Sequence, residues 1–262
     1  MKQIIIILLT VAVTIVMSSC GGGGSSDPAD SNTTEPNTNQ YDLRKFIDTA
    51  SYRVEGTGIA RFFRVSYHLT GIYQSTYNGT SIVSTGETVY DHNITLTLDI
   101  GEEIPEPWYK TAYFKDITMI PSVVDGQDIQ SANISTYMGH LIYVELNQGR
   151  TCKTTFEFNE IAPVPTDARV GYISDEVPLI CNDGTYVINV MELNDTGGGN
   201  AELSIISKTY VSEDERLLES LTTNIVLTQT MSMLNVEISI RIFLEEGFIE
   251  DYTLYSTSIT QN

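Results

Sequence analysis

Apolar and polar residues alternate with a period of two along much of the chain. In residues 94–100, isoleucine and leucine alternate with threonine and aspartate, and residues 63–69 and 236–242 repeat the pattern. Successive side chains of a strand point to opposite faces of a sheet. The alternation is therefore typical of antiparallel strands with one buried face and one face in water. The sequence predicts a mainly β fold.

Glycine-containing dipeptides between the apolar runs predict tight turns. Asn78-Gly79 and Asp183-Gly184 suit two-residue hairpins, and Glu246-Gly247 divides two further strands near the C-terminus. These turns indicate a meander of long hairpins, not βαβ units. Side chains alternate in and out along every strand of sandwiches and barrels alike. The pattern therefore leaves open an antiparallel β-sandwich or a sheet curled into a half-barrel or barrel.

Helical signals are scarce. Residues 41–49 place Leu43, Phe46 and Ile47 on one side of a short helix. Ser212-Glu213-Asp214-Glu215 is typical of a capping box and predicts a second short helix through Leu217 and Leu218. We therefore expect one or two short helices beside the strands.

The N-terminus has the three parts of a secretory signal. One lysine precedes an almost wholly apolar run over residues 4–17, and Ser18-Ser19-Cys20 follows. The run is too short to cross a bilayer, which takes about 20 residues. The small residues before Cys20 resemble the lipobox of bacterial lipoproteins. The resemblance implies that residues 1–19 are removed and that Cys20 carries acyl chains such as palmitate, which anchor the protein to a membrane of the cell envelope.

The residue after Cys20 bears on the destination. Gly21 stands where an aspartate signals inner-membrane retention in enteric bacteria, so the resemblance favours the outer membrane if the host is Gram-negative. Residues 20–40 are rich in Gly, Ser, Asn and Thr and predict a flexible tether. We expect residues 41–262 to form a single β-rich domain, with a candidate sub-boundary near residues 162–166.

Charge and cysteine content narrow the class of protein. The chain has 14 basic and 34 acidic side chains, and removal of residues 1–19 takes one lysine and changes the net charge from −20 to −21. Such acidity disfavours nucleic acid and anionic lipid headgroups as partners. In an oxidising compartment, Cys152 and Cys181 predict a disulfide. Two buried thiols or a metal pair are the alternatives, and no histidine near them supports a metal.

The sequence contains no motif of a known catalytic or cofactor site. It lacks GxSxG, HExxH, CxxC, P-loop and GxGxxG patterns, and its three histidines are scattered. We therefore expect no cofactor and favour a non-enzymatic protein. The densest aromatic patch is Trp108, Tyr109, Tyr113 and Phe114. It is either a corner of the core or an exposed surface for a protein or glycan partner.

Three asparagines form a further pattern. Asn32, Asn93 and Asn194 each follow an acidic residue by two positions and precede a threonine by two. The pattern resembles the acceptor sequence of bacterial N-oligosaccharyltransferases of the campylobacter type, although chance can also supply it in a chain rich in these residues. Asn32 lies in the tether, where an enzyme would reach it.

The sequence thus favours a lipid-anchored envelope protein that binds a partner or serves as a structural surface component. A carrier of lipid or another apolar ligand is the main alternative, with the helix predicted from Ser212 covering a cavity. An envelope hydrolase with a spatially assembled site is the third.

Cys20 provides the first test. Replacing it with serine removes the thiol that is acylated, so the Cys20→Ser chain should lose both a metabolically incorporated palmitate analogue and its place in the membrane fraction. A Ser25→Ala chain is the control and should keep both. Unchanged label in the Cys20→Ser chain contradicts the lipoprotein assignment.

Overall fold

Twelve antiparallel strands form a closed barrel. The computed structural model describes residues 39–62, 65–104, 127–146, 149–243 and 249–262. Strands follow one another around the barrel in sequence order, and the last strand pairs with the first. The strands are β1 (Tyr52–Phe62), β2 (Val65–Ile82), β3 (Thr88–Ile104), β4 (Gln127–Tyr137), β5 (His140–Leu146), β6 (Thr151–Thr154), β7 (Leu179–Cys181), β8 (Thr185–Gly197), β9 (Asn200–Val211), β10 (Leu217–Leu227), β11 (Met233–Phe243) and β12 (Ile249–Gln261).

The predicted β class is confirmed, but the sandwich and the half-barrel are wrong. A sandwich or half-barrel leaves edge strands, whereas here β1 pairs with β12 along its whole length, from Tyr52 opposite Gln261 to Phe62 opposite Glu250. We call this pairing the seam. Closure satisfies the backbone groups of both terminal strands, which would otherwise be free edges.

Apolar side chains fill the interior of the barrel. On β10, for example, Leu221, Ile225 and Leu227 are at most 2% exposed, while the alternate residues Thr222, Asn224 and Val226 are half-buried on the outer face. Inward residues from all the longer strands join in one continuous core. Exposure near zero means that neighbouring side chains, and not an open lumen, contact these residues.

One short helix and a long connection cover one end of the barrel, which we call the helix end. The helix α1 (Leu43–Thr49) confirms the first helix prediction, and the side chain of Asp42 caps it by accepting from the backbone N–H of Lys45. Leu43 and Phe46 join the barrel core. Asp48, 4% exposed, is held by Thr136, whose hydroxyl donates to its carboxylate at 2.7 Å.

The connection between β6 and β7, residues 155–178, also packs against the barrel. Ile161 and Val177 belong to a second, smaller apolar cluster, and Val164 joins the main core at 1% exposure. The candidate sub-boundary at residues 162–166 is therefore in contact with the strands. The single domain over residues 41–262 stays a prediction.

The helix predicted after Ser212 is wrong. Residues 212–214 form a turn, Glu215 has a positive φ of 55°, and β10 begins at Leu217. The local capping signal is overridden because Leu217–Leu227 finds strand partners on both sides, in β9 and β11. Tertiary pairing of this kind outweighs local propensity.

One of the predicted hairpin turns is also misplaced. Strand β2 runs through Asn78-Gly79 and ends at Ile82, and the chain turns at residues 83–87 instead. A register shift at Tyr77/Gly79 and a φ of 109° at Gly79 show that this glycine serves a β-bulge. The turn predicted at Asp183-Gly184 is confirmed between β7 and β8. The turn predicted at Glu246-Gly247 lies outside the described residues.

The disulfide between Cys152 and Cys181 is confirmed. It joins β6 to β7 at directly opposite positions of the ladder. Both cysteines point into the core, at 0% and 5% exposure. We call this end of the barrel, opposite α1, the disulfide end. Among the helices that the structure describes, none is long and apolar enough to span a bilayer.

The seam requires a close approach of the β1 and β12 backbones that glycine allows, and a substitution at Gly58 tests this requirement. A Cβ atom on Gly58 would overlap the backbone carbonyl of Thr253 on β12, so Gly58→Ala should lower the free energy of unfolding by about 2 kcal/mol or more. Gly101→Ala is the matched control. Its Cβ would have its nearest contact at 3.6 Å, so its stability should change by about 0.5 kcal/mol at most. Urea unfolding measures both, and equal stability of the two variants contradicts the close approach at the seam.

Candidate functional site

A depression of about 430 Å³ lies on the outer wall of the barrel, across β10, β11, β12 and β1. We call it the seam groove because the β1–β12 pairing runs through it. Its size falls within the range of small-molecule sites, roughly 300–1,000 Å³. The lining residues are Ile59, Arg61, Leu217, Ser220, Thr222, Ser239, Ile240, Arg241, Phe243, Asp251, Tyr252, Thr253 and Tyr255.

Short hydroxyl side chains form the middle of the seam groove. Thr222 lies opposite Ser239, and Ser239 lies opposite Thr253 on the next strand. Directly opposed residues share a face of a sheet, so these three hydroxyl groups form one row across the wall. The row is lower than its surroundings because the rows on either side carry longer side chains.

A row of charges borders the hydroxyl row on the side of the disulfide end. Asp251 lies opposite Arg241 on β11 and opposite Arg61 on β1. The Nε of Arg241 donates to Asp251 at 2.6 Å, and the two side chains are 55% and 35% exposed. One acidic residue thus lies between two arginines in the strand register.

The positive charge of Arg61 is not matched by any described residue. Its side chain makes no hydrogen bond or ion pair within the part of the chain that the structure describes. Arg61 is exposed, and it alternates with the buried inward residues Ala60 and Phe62. Its planar group therefore remains available, with five N–H donors, at the border of the groove.

An aromatic ring borders the hydroxyl row on the other side. Tyr255 is 50% exposed and lies two residues beyond Thr253 on β12, opposite Thr57 and Glu237. The groove thus combines a flat aromatic surface, a row of hydroxyl groups, one carboxylate and two guanidinium groups. Flat rings with adjacent hydrogen-bonding groups suit a sugar ring, which has apolar faces and a polar edge.

A second unusual feature lies inside the barrel, on the inner faces of β8, β9 and β10. Asn189, Ser207, Thr209, Glu219 and Thr223 point inward there, each at most 4% exposed. Ser207 donates its hydroxyl proton to Asn189 at 2.7 Å. Both carboxyl oxygens of Glu219, the hydroxyl of Thr209 and the amide nitrogen of Asn189 have no hydrogen-bond partner among the residues that the structure describes.

Glu219 is the extreme member of this inner cluster. Its side chain is 0% exposed, and burial raises its pKa to about 8, although the guanidinium of Arg150 opposes the rise. Arg150, itself 6% exposed, forms an ion pair with Asp183 at 2.7 Å and donates a hydrogen bond to the hydroxyl of Thr185 at 2.6 Å. Ile242 on β11 lies opposite Glu219 on β10 and opposite Glu250 on β12. Burial likewise raises the pKa of Glu250, against the hydrogen bond from Tyr252.

The residues singled out in the sequence do not converge on either feature. The aromatic patch of Trp108, Tyr109, Tyr113 and Phe114 lies outside the described residues, as do Cys20 and Asn32. Asn93 is on β3, where its amide donates to Asn133 at 3.2 Å, and Asn194 is exposed on β8.

The three histidines are separate. His68 is exposed, whereas the ring of His92 contacts the carbonyl of Asp48 and that of His140 contacts the carbonyl of Ala162. Burial lowers the pKa of both His92 and His140. Within the described part of the chain, no group of three or more His, Cys, Asp or Glu side chains is arranged to hold a metal ion.

The alternation of residues 236–242 already placed Arg241 and Ser239 on a polar face. It did not identify them as a site, because each strand alone predicts a solvated face. The site depends on the pairing of β1 with β12, which no local pattern reveals.

The fold and the groove define a class: a closed antiparallel β-barrel with a filled interior and a depression on its outer wall. No family model, curated protein or solved structure matches the chain.

Glu219 predicts a pH dependence of stability. Its pKa is about 8 in the folded protein and 4.5 when unperturbed, so the uncharged form is favoured by folding. The contribution of this group to the free energy of unfolding should be greatest below pH 4.5 and fall towards pH 8, by up to about 1.4 kcal/mol per pH unit.

The Glu219→Gln variant isolates the effect. Because glutamine cannot ionise, its stability relative to the wild type should increase between pH 5 and pH 8 in urea unfolding. Glu213→Gln, at an exposed turn position, is the control and should follow the wild type. A constant difference between wild type and Glu219→Gln across this range contradicts the raised pKa.

Proposed function

We propose that this protein is a lipid-anchored, non-enzymatic binding protein of the bacterial cell envelope, and that the seam groove binds a saccharide. The observation that carries the proposal is the arrangement across four strands of an exposed tyrosine, a hydroxyl row and a charged row. The groove lies on the outside of the barrel, so an extended glycan can enter and leave without any rearrangement of the core.

The N-terminal residues support the location in the envelope. A signal sequence, Cys20 and a polar stretch of about twenty residues precede Tyr41, where the described chain joins the barrel. Acyl chains on Cys20 would hold the protein at a membrane, with the outer membrane favoured if the host is Gram-negative. The tether would let the acidic barrel meet a glycan of the envelope or of its surroundings at a distance from the bilayer.

The charges of the groove favour binding over catalysis. Glycoside hydrolysis ordinarily needs two carboxyl groups on either side of the scissile bond, separated by about 5 Å or by roughly 6.5–9.5 Å. Asp251 is the one carboxylate among the lining residues in the described part of the chain, and it is engaged by Arg241. A carboxylate held as an ion pair is suited to orient a hydroxyl group of a ligand.

The carrier alternative is less well supported. A closed barrel is compatible with a carrier, but a carrier needs interior space for its ligand. Here the inward side chains of the described strands are in mutual contact, with the main core residues at 0–8% exposure. The helix that would have covered a cavity after Ser212 is a turn followed by β10.

Tyr255 tests the saccharide site. Tyr255→Ala removes the exposed ring, so binding to an array of bacterial and plant glycans should weaken by about tenfold or more for every glycan that the wild type binds. Tyr90→Ala is the matched control, since Tyr90 lies on β3, which contributes no lining residue to the groove, and its ring lies near that of Tyr77. Its binding should equal that of the wild type. Wild-type protein that binds no glycan on the array, or equal binding by Tyr255→Ala, contradicts the proposal.

A further inference from the structure

We infer that the seam groove selects acidic saccharides, with the guanidinium of Arg61 binding a carboxylate of the ligand. The inference rests on the proposed function and adds the chemical class of its ligand. Its basis is the unequal charge in the row Arg241, Asp251 and Arg61.

Asp251 cannot neutralise both arginines. It lies opposite each of them, but its hydrogen bond at 2.6 Å is to the Nε of Arg241. Arg61 is left with no hydrogen bond or ion pair to any residue that the structure describes. Among the residues that the structure describes, those lining the groove therefore have one excess positive charge.

An excess positive charge is unusual on this protein. The chain has a net charge of −20, and a second, smaller depression beside the groove is lined by Glu55 and Asp99 with no basic residue. At physiological ionic strength the repulsion of distant charges is screened beyond about 8 Å, so the local charges decide which ligand binds. The local charges of the seam groove favour an anionic ligand.

The geometry of arginine indicates which anion. The planar guanidinium presents parallel N–H groups that match the two oxygens of a carboxylate, and such paired hydrogen bonds are among the stronger ones in proteins. Arg61 is one row from the hydroxyl groups of Ser239 and Thr253, with Tyr255 beyond them. A hexuronic acid has a carboxylate, ring hydroxyls and an apolar face in one small unit, which corresponds to this order of groups.

Matched acidic and neutral saccharides test the inference. The probes are oligosaccharides of hyaluronan, alginate and polygalacturonate, each beside its carboxyl-reduced form, in which the carboxylate is replaced by a hydroxymethyl group. Binding to the full chain purified in detergent is measured by isothermal titration calorimetry. Wild-type protein should bind at least one acidic oligosaccharide about tenfold more tightly than its reduced form, because a hydrogen bond between charged groups is stronger than one to a neutral hydroxyl.

Variants assign the preference to Arg61. Arg61→Gln should bind the acidic and reduced forms equally, and Arg61→Lys, which keeps the charge without the paired donors, should retain part of the preference. Arg53→Gln is the control, since Arg53 is on the same strand and pairs with Glu55. It should behave as the wild type.

The outcomes separate the two proposals. Equal wild-type binding of acidic and reduced forms overturns the inference and leaves the saccharide site standing. Acidic preference that survives in Arg61→Gln also overturns it. Absence of binding to every probe, in both forms, contradicts the proposed function and the inference together.

Discussion

The pairing of the first strand with the last is the interaction on which the rest of the structure depends. Without the seam, β1 and β12 would be free edges, and the apolar inner faces of twelve strands would meet solvent at the gap. The seam requires close approach of backbones, which is why β1 has glycine at positions 56 and 58 and a register shift between Glu55 and Gly56. The same pairing creates the groove, because it brings Arg61, from the start of the domain, beside Asp251, from its end.

Much of the fold was predictable because its determinants are local. The alternation of residues 94–100 and 236–242 gave strands with the observed inward faces, and the pattern around Leu43 and Phe46 gave α1. The disulfide was predictable because Cys152 and Cys181 are the two cysteines that remain besides Cys20, and an oxidising compartment favours a bond between them. Failures occurred where a local signal competes with strand pairing. Asn78-Gly79 suits a hairpin turn and a bulge equally, and Ser212–Glu215 suits a helix cap and a strand-to-strand turn.

The candidate site was not predictable for a different reason. Its residues occupy ordinary outward positions of four strands, and each is the kind of residue that a solvated strand face contains. These residues form a candidate site only because of the strand register, which places Asp251 opposite two arginines. The inner cluster around Glu219 was missed because a short helix was predicted through Leu217 and Leu218, where the structure has the start of β10 with Glu219 on its inner face.

The proposed function belongs to the wall of the barrel and not to its interior. The strand register sets the spacing of the charged row, the hydroxyl row and Tyr255 on the wall. The most direct measurement is a crystal structure of the protein with an acidic oligosaccharide that it binds. We expect a sugar ring against Tyr255 and its carboxylate within hydrogen-bond distance of Arg61. A saccharide bound elsewhere on the barrel, or a carboxylate directed away from Arg61 into solvent, would contradict the account.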